Sequence, residues 1–315
     1  MNELKTINNS VMANSFSNEM FMSWTSYIDA SPKTVETYSR AIRQFIFYLQ
    51  AHNIKQPTRA DILAFRDNIA SSHKPTTAQN YLMAVKQFFK WTAQEGIYPN
   101  IADKVKSEKL DKGHKKDYLT ADQVRKVLAT TKGDSVKELR DFALLSLMVT
   151  TGLRTIEIVR ANIEDMRTIS IDLETSFTAL YIQGKGHKER TDYVKLSPKV
   201  EDAIKAYLTA RGKAKEEEPL FSSLSNRDSN ERMTTRSISR IVKDHLLQAG
   251  LDSDRLTAHS LRHTAGTLNL LAGGSLEETK QLLRHTNINT TLIYSHALER
   301  ARNASENRIT DAIFN

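Results

Sequence analysis

The chain has 315 residues, a formal net charge of +8 and no cysteine. A missing thiol rules out a disulfide framework, thiolate metal sites and a cysteine nucleophile, and no run reaches the roughly 18 apolar residues needed to span a bilayer. The 39% apolar content supports real cores, and the excess of Lys and Arg points to a polyanionic partner, nucleic acid first. The length suits one large or two ordinary domains. The opening "MNELKTINNS" lacks a basic segment followed by an apolar one. No signal peptide is therefore expected, and the cytoplasm is the expected compartment.

Residues 1–18 are polar and without period, so they are expected to form a flexible tail. Residues 19–103 are patterned as helices. In "SPKTVETYSRAIRQFIFYLQ", Ser31 is a candidate N-cap and Pro32 falls in the first turn. Val35, Tyr38, Ile42, Phe45 and Leu49 then recur at spacings of three and four, one helix face. "TRADILAFRDNIA" pairs Thr58 with Asp61 in a near capping box, followed by Ile62, Phe65 and Ile69. "TTAQNYLMAVKQFFKWTAQEG" carries Tyr81, Val85, Phe88 and Phe89 and stops near Gly96. Arg40, Arg43, Lys86 and Lys90 fall on polar faces, as a solvated surface or as phosphate contacts. "KVKSEKLDKGHKK", residues 104–116, has six lysines and reads as an exposed basic linker.

Helical patterning restarts at "LTADQVRKVLATT", with Thr120 as N-cap. "ELRDFALLSLMVTTGLRTIEIVRA" is a strongly apolar helix that runs into a Thr-Gly break and a second helix. Over 167–196 the period changes. "TISIDL", "TALYIQGKG" and "RTDYVKLS" are β-branched and alternating, which predicts a small antiparallel sheet. "SPKVEDAIKAYLTAR", "RSISRIVKDHLLQAG" and "SLRHTAGTLNLLAGG" return to helix. The fold class is mostly α with a small antiparallel β-sheet: a helical bundle over 19–103 and an α+β domain over 117–315.

Four clusters carry chemistry. In "TTGLRTIEI", Arg154 follows a glycine at a helix start and could bind phosphate bidentately or pair with Glu157 three positions on. In "QGKGHKER", glycines flank Lys185 at a hairpin, either a basic turn or a lysine set before a ligand. It is not a P-loop, because Gly186 stands where Ser or Thr would follow the lysine. In "HSLRHT", His259, Arg262 and His263 share a helix face. The histidine spacing suits zinc, but the Glu of HExxH is absent and no acidic cluster supplies a third ligand, so no metal or other cofactor is expected. The fourth is "LLRHTNINTTLIYSH", with His285, Tyr294 and His296. A phenol attacking phosphorus needs a cationic field and a base. The arginines, lysine, histidines and tyrosine together make a set for metal-free phosphoryl transfer.

In this order the clusters resemble the tyrosine recombinase, or phage integrase, family. The resemblance covers roughly residues 19–300. The family's "TGLR" box gives Arg154, its Gly-Lys-Gly hairpin Lys185, its "HxLRHT" box His259 and Arg262, its "LGH" motif His285, and its "TxxYxH" setting Tyr294. Arg284 replaces the usual Gly before His285, and Ala258 replaces a common Pro before His259. The first 18 residues are shorter than the arm-binding domain of the larger integrases.

The resemblance implies a core-type DNA-binding domain over 19–103 and a catalytic domain over 117–315. Together they would clamp double-stranded DNA at a recombination site, with the linker crossing the backbone. Tyr294 is then the nucleophile that forms a 3′-phosphotyrosine. Arg154 and Arg262 hold the non-bridging oxygens, and Lys185 protonates the leaving 5′-oxygen. His259 assists proton transfer from Tyr294, and His285 hydrogen-bonds the phosphate. The resemblance also implies a tetramer on two DNA sites, tied by the C-terminal tail, with DNA-bending accessory proteins as further partners and no membrane. Two alternatives share these residues: a type IB topoisomerase-like relaxing enzyme, and a non-catalytic DNA-binding protein of the same fold.

Overall fold

The structure is a computed structural model, which describes residues 18–107, 117–172, 174–184, 189–225, 230–292, 294 and 303–314. The expected tail up to residue 17, most of the expected linker, Lys185 and His296 lie outside the described residues. The chain divides into two compact units, residues 1–112 and 113–315.

The first unit contains α1 (Asn18–Tyr27), α2 (Pro32–Ala51), α3 (Arg59–Ser72) and α4 (Pro75–Gln94). Ser31 caps α2 through its side-chain oxygen, 3.3 Å from the Thr34 amide. Pro32 follows in the first turn, where its missing N–H has no helical partner to lose. The apolar stripe read from the sequence is the buried face: Ile42 and Phe45 are fully buried, with Val35 and Tyr38 half-buried at its start. Phe45 meets Phe65 of α3 and Phe89 of α4 edge-on, at 5.0 and 5.8 Å. Each buried ring of this size contributes about 1.5–3 kcal/mol. Trp24 of α1 packs edge-on against Phe88 at 5.7 Å.

This core reaches further along the chain than the periodicity suggested. Val105 is 1% exposed, although it falls inside the expected linker. The reason is polar as well as apolar: Arg59 donates to the carbonyls of Asp103 and Lys104, and Arg66 to that of Lys106. Those bonds draw the start of the lysine-rich segment onto α3.

The second unit runs α5 (Ala121–Ala129), α6 (Val136–Thr151), α7 (Thr155–Arg160), then β1 (Met166–Ser170), β2 (Ser176–Ile182) and β3 (Asp192–Lys195). It continues with α8 (Pro198–Arg211), α9 (Thr235–Gln248), α10 (Ala258–Leu271), α11 (Leu276–Leu283) and a C-terminal helix, Ser305–Phe314. The sheet is antiparallel in the order β1-β2-β3. Its register places Leu180 opposite Val194, both buried, while the neighbouring pair Tyr181 and Tyr193 falls on the other face. That is the alternation a half-buried sheet requires.

α6 is apolar nearly all round and packs against α8 and α10. Its two buried charges are matched. Arg140 donates to Asp141 at 2.8 and 2.9 Å, and His245 of α9 lies 3.3 Å from the same carboxylate. Burial pushes the Asp141 carboxyl up, but His245 and Arg140 outweigh it and hold it below the usual range. α6 ends at Gly152, whose φ of +61 closes the helix. A β-carbon there would lie 2.6 Å from Leu283 Cδ2. Both the turn and the approach of α11 therefore require glycine, and together they deliver Arg154 to the site.

Candidate active site

Arg154 is the N-cap of α7. Its backbone amide donates to Glu157 Oε2 at 2.8 Å, and its guanidinium donates to Oε1 at 2.7 Å. Glu157 is 1% exposed, so its charge must be met inside the protein. A second arginine meets it: Arg284 Nη2 lies 3.0 Å from Oε2. Burial pushes the Glu157 carboxyl up, but the Arg284 charge and the Arg154 hydrogen bonds outweigh it and hold it below its usual range.

Arg284 is the C-cap of α11 with φ 52 and ψ 49. This is the left-handed region that glycine adopts freely, at a cost of about 1–2 kcal/mol for a side-chain-bearing residue. Arg262, on α10, is 2% exposed. It donates to the carbonyl of Gly152 at 2.6 Å and to that of Leu283. Those bonds use two of a guanidinium's five N–H donors and fix its plane between the ends of α6 and α11. Burial lowers its pKa to about 10, with Arg154 and Arg284 adding repulsion. It stays charged at neutral pH. Two guanidiniums thus share one carboxylate and a third, Arg262, lies close enough to be repelled by both, an arrangement with a surplus of positive charge.

Tyr294 sits beside this group, 4% exposed, in a small apolar cluster with Ala265 and Leu283. Burial pushes its phenol up to about 12, against a lowering by Arg262. Its hydroxyl is 2.6 Å from Nδ1 of His263, and His263 in turn meets His259 edge-on at 4.7 Å. The ring of His285 lies parallel to the tyrosine ring, 6.4 Å away and 7° off. Nδ1 of His285 is 2.8 Å from Thr291 Oγ1. Burial and the three arginines lower the His285 pKa to about 4, so its ring is neutral at pH 7. Gly266 makes room for the tyrosine: a β-carbon there would lie 2.8 Å from Leu283 Cδ1 and 3.5 Å from Tyr294 Cε2.

A phenol against an imidazole, next to clustered guanidiniums, can give up its proton and attack an anionic phosphate. Comparison with known proteins identifies the family. The phage integrase family model matches residues 117–300, and the model of the phage integrase N-terminal SAM-like domain matches residues 19–98. The chain belongs to the phage integrase family. It is a tyrosine recombinase, an enzyme of DNA strand exchange. It is 30% identical to tyrosine recombinase XerC of Thermodesulfovibrio yellowstonii, over 84% of this chain and 86% of that protein. It is 34% identical to XerC of Caldanaerobacter subterraneus, over 74% of this chain but 62% of that protein. Among solved structures, the post-cleavage complex of XerH recombinase with a palindromic difH substrate has a TM-score of 0.69 at 20% identity, covering 90% of this chain and 83% of that one. A lambda integrase tetramer bound to a Holliday junction has a TM-score of 0.67 at 18% identity, covering 91% and 78%. At these identities the structures share the fold.

Of the residues expected to act in this recombinase, Arg154, Arg262, His285 and Tyr294 come together. Lys185 lies outside the described residues. The cluster also contains two members outside the catalytic set that the family motifs imply. His263 holds the tyrosine hydroxyl where His259 was expected to assist, and His259 meets His263 edge-on. The second is Arg284, which departs from the family motif at its glycine position. Each had a signal: the i,i+4 pairing of His259 with His263, and a long cationic side chain where the motif has none.

Proposed function

We propose that this tyrosine recombinase cuts DNA at a specific site and rejoins it through a 3′-phosphotyrosine on Tyr294, without metal or ATP. The observation that carries the reading is the Tyr294 hydroxyl held by His263 beside Arg154, Arg262 and Arg284. His263 takes the phenol proton as the oxygen attacks phosphorus, and His259 stands behind it as the next group in the relay. Arg154 and Arg262 hold the non-bridging oxygens and offset the charge of the pentacoordinate transition state, the charge that a metal ion would otherwise meet. Neutral His285 offers a ring N–H to the phosphate. Lys185 protonates the departing 5′-oxygen. The phosphotyrosine conserves the free energy of the diester, so the 5′-hydroxyl of a second strand can reverse the step.

The assembly we propose is a tetramer on two DNA sites, in the cytoplasm where the DNA is. Its support is the C-terminal helix, which buries none of its residues and exposes Ile309, Ile313 and Phe314. Such a face favours docking on a neighbouring protomer. Integration or excision of a mobile element and resolution of dimers would both use this site, with DNA-bending proteins as accessory factors.

The test is trapping. Fragmented native DNA carrying nicks, which let the cut strand diffuse away, is incubated with the protein in EDTA, and the denatured complexes are mapped on both partners. The expected result is a DNA 3′-end on the peptide containing Tyr294. Attachment to another residue, or a reaction that stops in EDTA and returns with one divalent ion, would overturn the mechanism.

A further inference from the structure

Arg284 stands where the family motif has glycine, yet its backbone keeps the glycine conformation, φ 52 and ψ 49. A strained left-handed arginine persists where its surroundings hold it. Here the side chain, 10% exposed, supplies the hold. Nη2 pairs with Glu157, 127 positions earlier in the chain, and Nη1 donates to the Leu282 carbonyl at 2.8 Å. Nε is buried and has no hydrogen-bond partner among the described residues, with Asp192 of β3 at 3.9 Å. Arg154, Glu157, Asp192 and Arg284 line a cleft of about 410 Å³ together with Gly184, the last described residue before Lys185.

The two arginines divide Glu157 between them. The Arg154 guanidinium takes Oε1, and the Arg284 guanidinium takes Oε2 beside the Arg154 backbone amide. If Arg154 were the only cation on this carboxylate, its guanidinium could not turn to a phosphate without leaving a buried charge unpaired, which is strongly unfavourable. With Arg284 in place the carboxylate keeps a partner throughout. We propose that Arg284 is a positioning residue that keeps Glu157 neutralised, so that Arg154 can pass its hydrogen bonds to the scissile phosphate. The proposal rests on the reading that Arg154 holds that phosphate.

The test compares single-turnover cleavage and DNA binding for Arg284→Gly, Arg284→Lys, and Arg284→Gly combined with Glu157→Gln. Glycine removes the side chain and relaxes the backbone, so the fold keeps its turn. Arg284→Gly is expected to bind DNA with an unchanged Kd and to cleave about 10- to 100-fold more slowly, the usual loss when a partner that orients a ligating group is removed. Adding Glu157→Gln is expected to restore most of the rate, because a neutral amide no longer captures Arg154. Arg284→Lys should fall between. Wild-type cleavage by Arg284→Gly, or a double variant no faster than the single one, would overturn the proposal. If Arg284→Gly loses its cooperative melting transition, Arg284→Gln with and without Glu157→Gln makes the same comparison. Arg154→Ala separates the two levels. Normal cleavage by Arg154→Ala removes the underlying reading, whereas an inactive Arg154→Ala beside an unaffected Arg284→Gly removes only the role of Arg284.

Discussion

Nδ1 of His263 lies 2.6 Å from the hydroxyl of Tyr294, and that tyrosine is 4% exposed. Burial and a hydrogen bond to a base therefore act on the same oxygen. The first keeps the phenol protonated, with a pKa pushed up to about 12, and the second gives the proton somewhere to go.

Tyr294→Phe should form no covalent complex while retaining DNA binding, which is spread over many phosphates. His263→Ala should cleave about 10²–10⁴-fold more slowly, the usual contribution of a positioned base. Its rate should then climb about tenfold per pH unit toward the phenol pKa, because ionised tyrosine needs no base. A pH–rate profile matching that of the wild-type protein would leave His263 without the base role.

Arg154→Ala and Arg262→Ala should each lower the cleavage rate by about 10²-fold or more. Their stabilities should diverge. Arg262→Ala leaves the Gly152 and Leu283 carbonyls without their donor, at about 1–3 kcal/mol for each buried group left unsatisfied. Arg154 is about one-third exposed, and Glu157 keeps Arg284 when it is removed. Thermal melts should show a clear loss for Arg262→Ala and a smaller one for Arg154→Ala. Equal losses would contradict this division.

Lys185→Ala should be slow on an ordinary phosphodiester and recover on a substrate whose 5′-bridging oxygen is sulfur. Sulfur leaves without a proton, so the acid is no longer needed. Persistent slowness on the sulfur substrate assigns Lys185 to some other role.

His285 should remain neutral in the free protein down to about pH 4. The sign follows from its lowered pKa: between about 6.5 and 4 the unfolded chain binds this proton and the folded one does not, so stability falls as the pH drops through that window. A bound phosphate offsets the three arginines and should raise the pKa. Imidazole NMR with and without DNA measures both values. An ordinary titration near 6.5 in the free protein would contradict the burial and repulsion seen here.

Deleting residues 305–315 should leave single-site binding nearly intact and sharply reduce cooperative binding and recombination. The exposed Ile309, Ile313 and Phe314 motivate this. Full recombination by the shortened chain would show that the C-terminal helix does not couple protomers.

Much of the architecture is local and therefore legible in residue order. Ser31 and Thr120 cap helices because their hydroxyls reach backbone amides only three residues on. The faces of α2 and of the sheet follow from periods of 3.6 and 2. The ordered boxes around Arg154, His259, Arg262, His285 and Tyr294 suffice to indicate the family and the chemistry, since each is a short string with its own spacing. What the helix period could not rank was His259 against His263, because both lie on the same side of α10.

That choice belongs to packing: the Tyr294 segment settles onto α10 where Gly266 leaves room, and the hydroxyl comes to rest against His263. The same holds for Arg284, whose partner is 127 positions away along the chain and 3.0 Å away in space. Sequence by itself determined the elements and the family, because those depend on neighbours within a few residues. Tertiary structure alone decided which imidazole meets the tyrosine and which two arginines divide Glu157, because those contacts arise only when distant segments bury their surfaces against one another.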